Sequence, residues 1–199
     1  MRVRVEHDAV VLAAGGSMGL EKPRQLLTIS GETLLQRAVR LAKETNPKHL
    51  LVVLGAHAEQ LAPLVVRTAI VFDPTWESGI GSSLARAAAA LAGRPYPVLV
   101  TVFDQPCLTP DHLEKLLVAY DGSCDAVSAY GDALGPPALL RPETMALAAT
   151  LPSGAAFRRL WTGAHPAAIR CDALGRALDT PDDVADAGTA GLLDEPRRA

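Results

Sequence analysis

Short apolar segments recur along this chain, and they restrict its fold more than any other feature of the sequence. Val10–Ala14, Leu50–Leu54 and Val98–Phe103 are nearly continuous runs of this kind, each followed by a glycine or a polar residue. A strand that is apolar on both faces is typical of a parallel sheet covered by helices on its two sides. Stretches with helical apolar spacing, such as Thr33–Glu44, separate the runs. The sequence therefore predicts an α/β fold, a Rossmann-like three-layer α/β/α arrangement around a mixed, mainly parallel sheet.

The same patterns predict the remaining elements in chain order. Further strands are expected at 69–72, 126–129 and 167–171, and a turn at 135–137 leads into another strand that runs antiparallel. Helices are expected at 58–64, 82–91, 111–120 and 142–150, with a last helix opened by Thr180 and Pro181. In open α/β sheets ligands bind outside the carboxyl ends of the strands. The loops that follow the strands are therefore expected to face one crevice.

The length and charge of the chain limit what it can be. Its 199 residues suit one domain, which we place at 1–190, followed by a polar tail at 191–199 that is expected to be frayed from Asp194 onwards. The net charge of −3 argues against a general nucleic-acid binder. No apolar stretch approaches the roughly 20 residues that span a bilayer. We expect a cytoplasmic protein that binds neither nucleic acid nor membrane.

The loop after the first strand has the composition of a phosphate-binding loop. The apolar run ends in Ala13, Ala14, Gly15, Gly16 and Ser17, and the cations Lys22 and Arg24 follow. Small residues allow backbone N–H groups to approach phosphates closely, and nearby cations balance the phosphate charge. The segment matches neither the dinucleotide fingerprint nor the Walker loop. The spacing indicates a nucleotide site without identifying the nucleotide.

Two later positions could contribute to the same site. Asp104 directly follows a buried strand, where a carboxylate can hold Mg²⁺ that bridges nucleotide phosphates; alternatively it only starts a turn. The segment Asp73–Leu84 carries Gly81, Ser82 and Ser83 at the start of a helix. Its amides and hydroxyls could contact the base or ribose, or it could be an ordinary capped helix. Asp179 is either a second carboxylate near the metal or part of a helix start.

Several motifs, in order and over nearly the whole chain, together resemble the MobA-like nucleotidyltransferases. They are Leu12–Ser17, Pro23–Leu27, Trp76–Leu84, Asp104–Pro106, Gly135–Pro137 and Leu178–Pro181. Within that family the sequence is most similar to the molybdenum cofactor cytidylyltransferases. The resemblance implies the fold of nucleotide-diphospho-sugar transferases. It also implies Mg²⁺-dependent transfer of a nucleotidyl group from an NTP to a phosphorylated acceptor such as molybdopterin, with release of pyrophosphate.

The resemblance also implies roles for individual residues. Ala13, Ala14, Gly15, Gly16, Ser17, Gly81, Ser82, Ser83 and Gln105 would bind the nucleotide. Asp104 and Asp179 would hold Mg²⁺, and Asp104, Arg24 and Lys22 would act in catalysis. The sequence Leu12–Gly15 reads Leu-Ala-Ala-Gly, which is similar to the branch that uses CTP.

The sequence departs from the family pattern in the signature loop. The family's loop arginine is absent, and without gaps Gly19 stands in its place, while Arg24 replaces the family's lysine. Ser153–Arg158 keeps the arginine of a second family motif and loses its aspartate. A cation aimed at the leaving pyrophosphate typically contributes a few kcal/mol to transition-state stabilisation. Two alternatives therefore stay open: a homologue that binds nucleotide or cofactor without catalysis, and a nucleotidyltransferase with another phosphorylated acceptor.

Overall fold

A seven-stranded sheet forms the centre of the protein. The computed structural model describes residues 5–17, 19–20, 22–152 and 157–195. The strands are β1 (Asp8–Ala13), β2 (Thr28–Ile29), β3 (Glu32–Thr33), β4 (Leu50–Leu54), β5 (Ala69–Phe72), β6 (Val98–Val102), β7 (Ala126–Tyr130), β8 (Ala133–Leu140) and β9 (Ala167–Arg170). Their order in the large sheet is β5-β4-β1-β6-β8-β7-β9, and β2 and β3 form a separate hairpin. Only the pairings of β8 in the large sheet are antiparallel among the described strands.

Helices cover both faces of this sheet. They are α1 (Leu34–Glu44), α2 (Ala58–Leu61), α3 (Ile80–Ala90), α4 (Pro110–Ala119), α5 (Pro142–Ala148) and α6 (Pro181–Thr189). Short 3₁₀ turns lie at Arg24–Leu26, Ala62–Leu64, Trp76–Ser78, Phe157–Trp161 and Asp172–Gly175. Thr33 and Thr180 begin α1 and α6 with capping boxes, in which the threonine and the third helical residue satisfy each other's backbone donors.

Alternate residues of the central strand enter two separate cores. Val11 and its neighbours Ala9 and Ala13 pack with α1, α2, α4 and α6, whereas Val10 and Leu12 pack with α3, α5 and the Phe157–Trp161 turn. These β1 residues are at most 4% exposed. Burial on both sides explains why the strand carries no alternating polar residues. The predicted three-layer fold with a mixed, mainly parallel sheet is confirmed.

The prediction of a turn at 135–137 is wrong. The turn lies at Gly131 and Asp132, where Gly131 has φ +56°, and β8 has already begun at Ala133. The register between β7 and β8 shifts between Val127 and Ser128, and the paired residues pass from Gly135 directly to Ala138. Proline lacks an N–H donor and is tolerated in strands at such irregularities. The Gly-Pro-Pro segment is thus part of the strand.

The predicted fraying from Asp194 onwards is also wrong where the chain is described. The Asp194 carboxylate accepts hydrogen bonds from the backbone N–H groups of Ser30 and Gly31 at 2.8 and 2.7 Å, and its own N–H donates to Thr28. The segment after α6 is therefore anchored to the β2–β3 hairpin. No helix within the described ranges is long and apolar enough to cross a membrane.

Candidate active site

The loop that leaves β1 is held in place by the 3₁₀ turn Arg24–Leu26. The Gln25 side chain is buried and donates through Nε2 to the carbonyl oxygens of Ala13, at 3.0 Å, and Gly15, at 2.8 Å. The Ser17 hydroxyl accepts a 2.7 Å hydrogen bond from the backbone N–H of Arg24. These contacts fix the loop's backbone. They also place the Arg24 side chain beside the glycines.

A cluster of one guanidinium and two carboxylates lies beside this loop. Arg24 Nη1 is 3.8 Å from Asp104 Oδ2 and 3.3 Å from Asp179 Oδ1. The same nitrogen donates to the carbonyl oxygen of Leu178, and Nη2 donates to that of Gly16 at 3.0 Å. The side chains of Arg24, Asp104 and Asp179 are 10%, 17% and 70% exposed. The cluster is therefore buried at Asp104 and open to solvent at Asp179.

The two aspartates reach this cluster from distant parts of the chain. Asp104 follows β6, next to β1 in the sheet, and its carbonyl oxygen accepts from the N–H of Leu178 at 3.0 Å. That bond holds the segment before α6 at the carboxyl end of β6, and Asp179 belongs to this segment. The predicted crevice outside the carboxyl ends of the strands thus includes a contribution from the end of the chain.

Burial and the neighbouring carboxylate alter the protonation of Asp104. Burial raises the pKa of Asp104 to about 6, Arg24 opposes the increase, and the charge of Asp179 adds to it. A low-dielectric environment disfavours an isolated carboxylate and therefore favours a nearby cation. The Arg24 guanidinium is the cation next to Asp104. It also lies 5.6 Å from the centre of the Phe103 ring.

The start of α3 is organised by Asp73, which sequence reasoning did not select. Its carboxylate is fully buried and accepts 2.8 Å hydrogen bonds from the hydroxyls of Ser82 and Ser83. It also accepts from the N–H and hydroxyl of Thr75, both at 2.9 Å. Burial acts to raise the pKa of Asp73, but these hydrogen bonds outweigh it and hold the pKa below its usual value. The two serines predicted to contact the base therefore donate to Asp73.

Trp76 lies between the glycine loop and the segment that leads into α3. A Cβ added at Gly55 would lie 2.6 Å from the Cβ of Trp76, and one added at Gly16 would lie 2.8 Å from Cζ3 of the indole ring. The glycines at both positions provide the space that the tryptophan occupies. The indole contributes to the wall of the crevice instead of projecting into solvent as a lid.

One cavity of about 360 Å³ brings together six of the predicted site residues. They are Ala14, Gly15, Arg24, Ser83, Asp104 and Asp179. Lys22 is exposed and is not part of this lining. Gln105 is buried, and its Nε2 donates to the carbonyl oxygens of Pro136 and Leu174 at 3.0 and 3.3 Å. The nucleotide-binding role of Gln105 stays a prediction, as does the catalytic role of Lys22.

The other predicted nucleotide ligands surround this lining without belonging to it. They are Ala13, Gly16, Ser17, Gly81 and Ser82. Gln25 and Asp73 organise the site without having been selected from the sequence. Asp73 had a recognisable signal, since it directly follows the apolar run 69–72 and a polar residue buried at a strand end must find partners. Gln25 stands 12 residues after Ala13, whose carbonyl oxygen it binds, and no local pattern indicates that pairing. Ser153 to Ala156, which belong to the second family motif, lie outside the described residues.

The donor set of the cluster fits a hard divalent cation. Mg²⁺ takes oxygen ligands and is commonly bound by one or two carboxylates together with substrate phosphates. Asp104 and Asp179 already share one cationic nitrogen, Nη1 of Arg24. Within the described residues no group of three or more histidines, cysteines or acidic residues could hold a metal. A metal here would therefore depend on these two carboxylates and on oxygens from a ligand.

Known proteins agree with the fold. The family model of the MobA-like NTP transferase domain matches residues 9–168. The bifunctional protein GlmU of Corynebacterium aurimucosum is 32% identical over 138 residues, which are 65% of this chain and 28% of GlmU. The chain thus spans under a third of that relative. Nicotine blue oxidoreductase of Paenarthrobacter nicotinovorans is 31% identical over 145 residues, 71% of each protein.

A solved structure matches nearly the whole chain. The manganese complex of Rv0371C from Mycobacterium tuberculosis H37Rv is 25% identical, with a TM-score of 0.73, and the match covers 92% of this chain and 97% of that one. The family model covers far more than half of the sequence, and it includes β1, the glycine loop, α3 and Asp104. This chain therefore belongs to the MobA-like NTP transferase domain family of nucleotidyltransferases.

Proposed function

We propose that this protein is a Mg²⁺-dependent cytidylyltransferase that transfers CMP from CTP to molybdopterin or a similar phosphorylated small molecule, releasing pyrophosphate. The observation that carries the proposal is the cluster of Asp104, Asp179 and Arg24 beside the glycine loop, in one cavity. Such a cluster supplies both charges that phosphoryl-type transfer requires: carboxylates for a metal and a cation for phosphates. The CTP preference rests on the Leu-Ala-Ala-Gly sequence of Leu12–Gly15. We expect the protein to act in the cytoplasm.

The proposed role of each residue follows from its position around the cavity. The backbone of the Gly15–Gly16 loop would lie along the phosphates, since the side-chain hydrogen bonds of Gln25 occupy carbonyl groups of this loop and keep its conformation fixed. Asp104 and Asp179 would hold Mg²⁺, which when bound supplies charge stabilisation to the transferring phosphoryl group. Arg24 would stabilise the leaving pyrophosphate. The walls, Trp76 included, would limit access of water to the cavity.

Pyrophosphate release tests this proposal. Purified protein is incubated with Mg²⁺, molybdopterin and each of CTP, GTP, ATP and UTP, and CTP is expected to give the highest rate. Asp104→Asn should lower that rate at least about 100-fold, the order expected when a site loses one main source of transition-state charge stabilisation. Asp121→Asn is a matched control, because Asp121 is exposed and lies in the loop after α4. Absence of pyrophosphate release with every nucleotide contradicts the proposal.

A second candidate is a nucleotide- or cofactor-binding homologue without transferase activity. The missing loop arginine favours it, as does the pairing of both candidate metal carboxylates with Arg24. A relative of similar length bears the name of an oxidoreductase, so family membership alone does not determine the reaction. Calorimetry with the four nucleotides separates the two candidates. Tight binding without pyrophosphate release supports the second, and release with CTP rejects it.

A further inference from the structure

Arg24 lies between the two carboxylates that could hold a metal. The two carboxylates that could ligate Mg²⁺ are both directed at the same guanidinium nitrogen, Nη1 of Arg24. A divalent cation that ligates both aspartates through these oxygens must therefore compete with that nitrogen. We propose that Arg24 is an internal counter-ion that competes with the divalent metal for Asp104 and Asp179, and that metal binding releases its guanidinium towards the nucleotide phosphates. This inference rests on the proposed function for the identity of the metal ligands.

The contacts of Arg24 with the two carboxylates are weak enough to be exchanged. The distance to Asp104 is 3.8 Å, which is outside hydrogen-bond range, and the contact with Asp179 is made by a carboxylate that is 70% exposed. Neither contact is the bidentate geometry that makes an arginine–carboxylate pair strong. The exposed side of Asp179 also leaves a route by which a hydrated cation can reach the cluster from solvent.

The guanidinium of Arg24 keeps an N–H donor available for a ligand. Of its five N–H groups, one donates to Leu178 O, one to Asp179 and one to Gly16 O. The Nε–H is buried and has no hydrogen-bond acceptor among the residues that the structure describes. A buried donor without an acceptor costs free energy until a ligand supplies one. Phosphate oxygens are acceptors of the right charge.

A backbone contact keeps Arg24 in the cavity when the carboxylates turn to a metal. Nη2, which is not the nitrogen between the two carboxylates, donates to Gly16 O of the glycine loop. The guanidinium can therefore lose both carboxylates and still remain next to the loop. Its charge is then no longer neutralised by Asp104 and Asp179. The metal and the freed arginine would act on the same phosphates.

Mn²⁺ binding without nucleotide tests the competition directly. An adjacent arginine lowers the affinity of a carboxylate for a cation, by 1–3 pK units where the cation is a proton, so its removal should tighten metal binding about 10-fold or more at about pH 8, where protons compete less for the carboxylates. Calorimetry should therefore show Arg24→Met binding Mn²⁺ about 10-fold or more tightly than the wild type, and Asp104→Asn added to Arg24→Met should remove the gain. Equal or weaker binding by Arg24→Met overturns the proposal.

Arg40 provides a matched control on the surface. Its guanidinium also joins two carboxylates, Glu32 at 2.8 Å and Glu44 at 2.9 Å, but all three side chains are partly exposed. Arg40→Met likewise removes an arginine from between two acidic groups. It should leave Mn²⁺ affinity at the wild-type value. An equal gain in Arg40→Met would mean that any loss of positive charge tightens metal binding, and it would overturn the proposal.

A measurement on the wild type keeps the test independent of folding defects. Nitrogen-15 NMR of the arginine side chains should show one Nε–Hε signal that shifts as Mg²⁺ is added and that is absent from Arg24→Lys. Mg²⁺ binding without movement of that signal overturns the proposal, as does absence of Mn²⁺ binding by both Arg24→Lys and Arg24→Met when each is folded by circular dichroism. Pyrophosphate release by the wild type decides the proposed function separately, so the two failures can be told apart.

Discussion

The indole of Trp76 packs directly on Gly16. A Cβ added at residue 16 would lie 2.8 Å from Cζ3 and 2.9 Å from Cη2 of that ring, closer than side-chain carbons approach one another. Trp76 thereby links the glycine loop to the segment that leads into α3. Displacement of the ring would change the shape of the whole cavity.

Gly16→Ala should therefore destabilise the protein and move the tryptophan. The added methyl group forces the indole out of its place, and overpacking of this kind costs about 1–3 kcal/mol. Urea unfolding measures the free energy, and the fluorescence of Trp76 in a Trp161→Phe background reports the displacement. Gly15→Ala is the control in the same loop, since its Cβ would meet Arg24 Nη2 at an ordinary 3.7 Å. Equal stability of the two alanine variants would contradict the packing argument.

Asp73→Asn should lower stability at neutral pH by about 1–3 kcal/mol, because an amide cannot accept all of the hydrogen bonds from Ser82, Ser83 and Thr75. The pKa of Asp73 is lowered in the folded state, so its contribution is complete above the unfolded value, about 3.9. That contribution is lost as the pH falls through the folded pKa. The variant should lose less stability than the wild type on acidification. Chemical unfolding at pH 7, 4 and 3 measures this, with Asp186→Asn, which changes an exposed aspartate of α6, as the control.

His112 should make the protein less stable in mild acid. Burial lowers the pKa of His112, and Lys115 lowers it further. Ser128 Oγ donates to Pro137 O at 2.6 Å, so it accepts from Nε2–H of the neutral imidazole at 2.7 Å. The unfolded chain takes up a proton near pH 6.5 while the folded one resists, and stability decreases as the pH falls below that value.

His112→Gln should remove this part of the pH dependence, because the amide can donate to Ser128 without titrating. Urea unfolding at pH 7, 6 and 5 should show a stability difference between wild type and variant that changes by up to about 1.4 kcal/mol per pH unit. His49→Gln changes an exposed histidine and should keep the wild-type slope. An unchanged slope in His112→Gln would contradict this prediction, because it would mean that His112 has the same pKa in the folded and unfolded states.

Asp194→Ala should loosen the β2–β3 hairpin. The substitution removes the acceptor of the Ser30 and Gly31 amides, each bond contributing about 1 kcal/mol at this exposed site. Hydrogen exchange of these two amides should become faster, while amides of β1 keep their protection. Asp186→Ala changes an exposed aspartate of α6 and serves as the control. Unchanged exchange at both amides would contradict the anchoring contact.

Local pattern was sufficient to predict the parallel strands of the sheet. Leu50–Leu54 and Ala69–Phe72 begin and end where the apolar runs do, and Thr180 begins its helix as expected. Strand β8 could not be read in the same way. Its Gly-Pro-Pro segment has the composition of a turn. The two prolines remain in the strand because neither is paired with a residue of β7.

The three charged residues of the cluster could be selected from the sequence, but their pairings could not. Asp104, Arg24 and Asp179 could each be selected because a charged residue stands next to a strand end, a glycine loop or a helix start. No local pattern indicates that Arg24 lies between the two aspartates, since that depends on how the segment before α6 crosses the sheet. Ser82 and Ser83 show the same limit, because their partner Asp73 is nine and ten residues away in the chain.

The bond from Arg24 to Leu178 closes a loop of 154 residues. Contacts of such high sequence separation form late, since the chain must lose the entropy of the whole intervening loop first. During synthesis the glycine loop and Asp104 exist long before Leu178 and Asp179 do. A growing chain can therefore assemble most of its sheet while the charge cluster is still incomplete, and the cluster is complete only when Leu178 and Asp179 have been made.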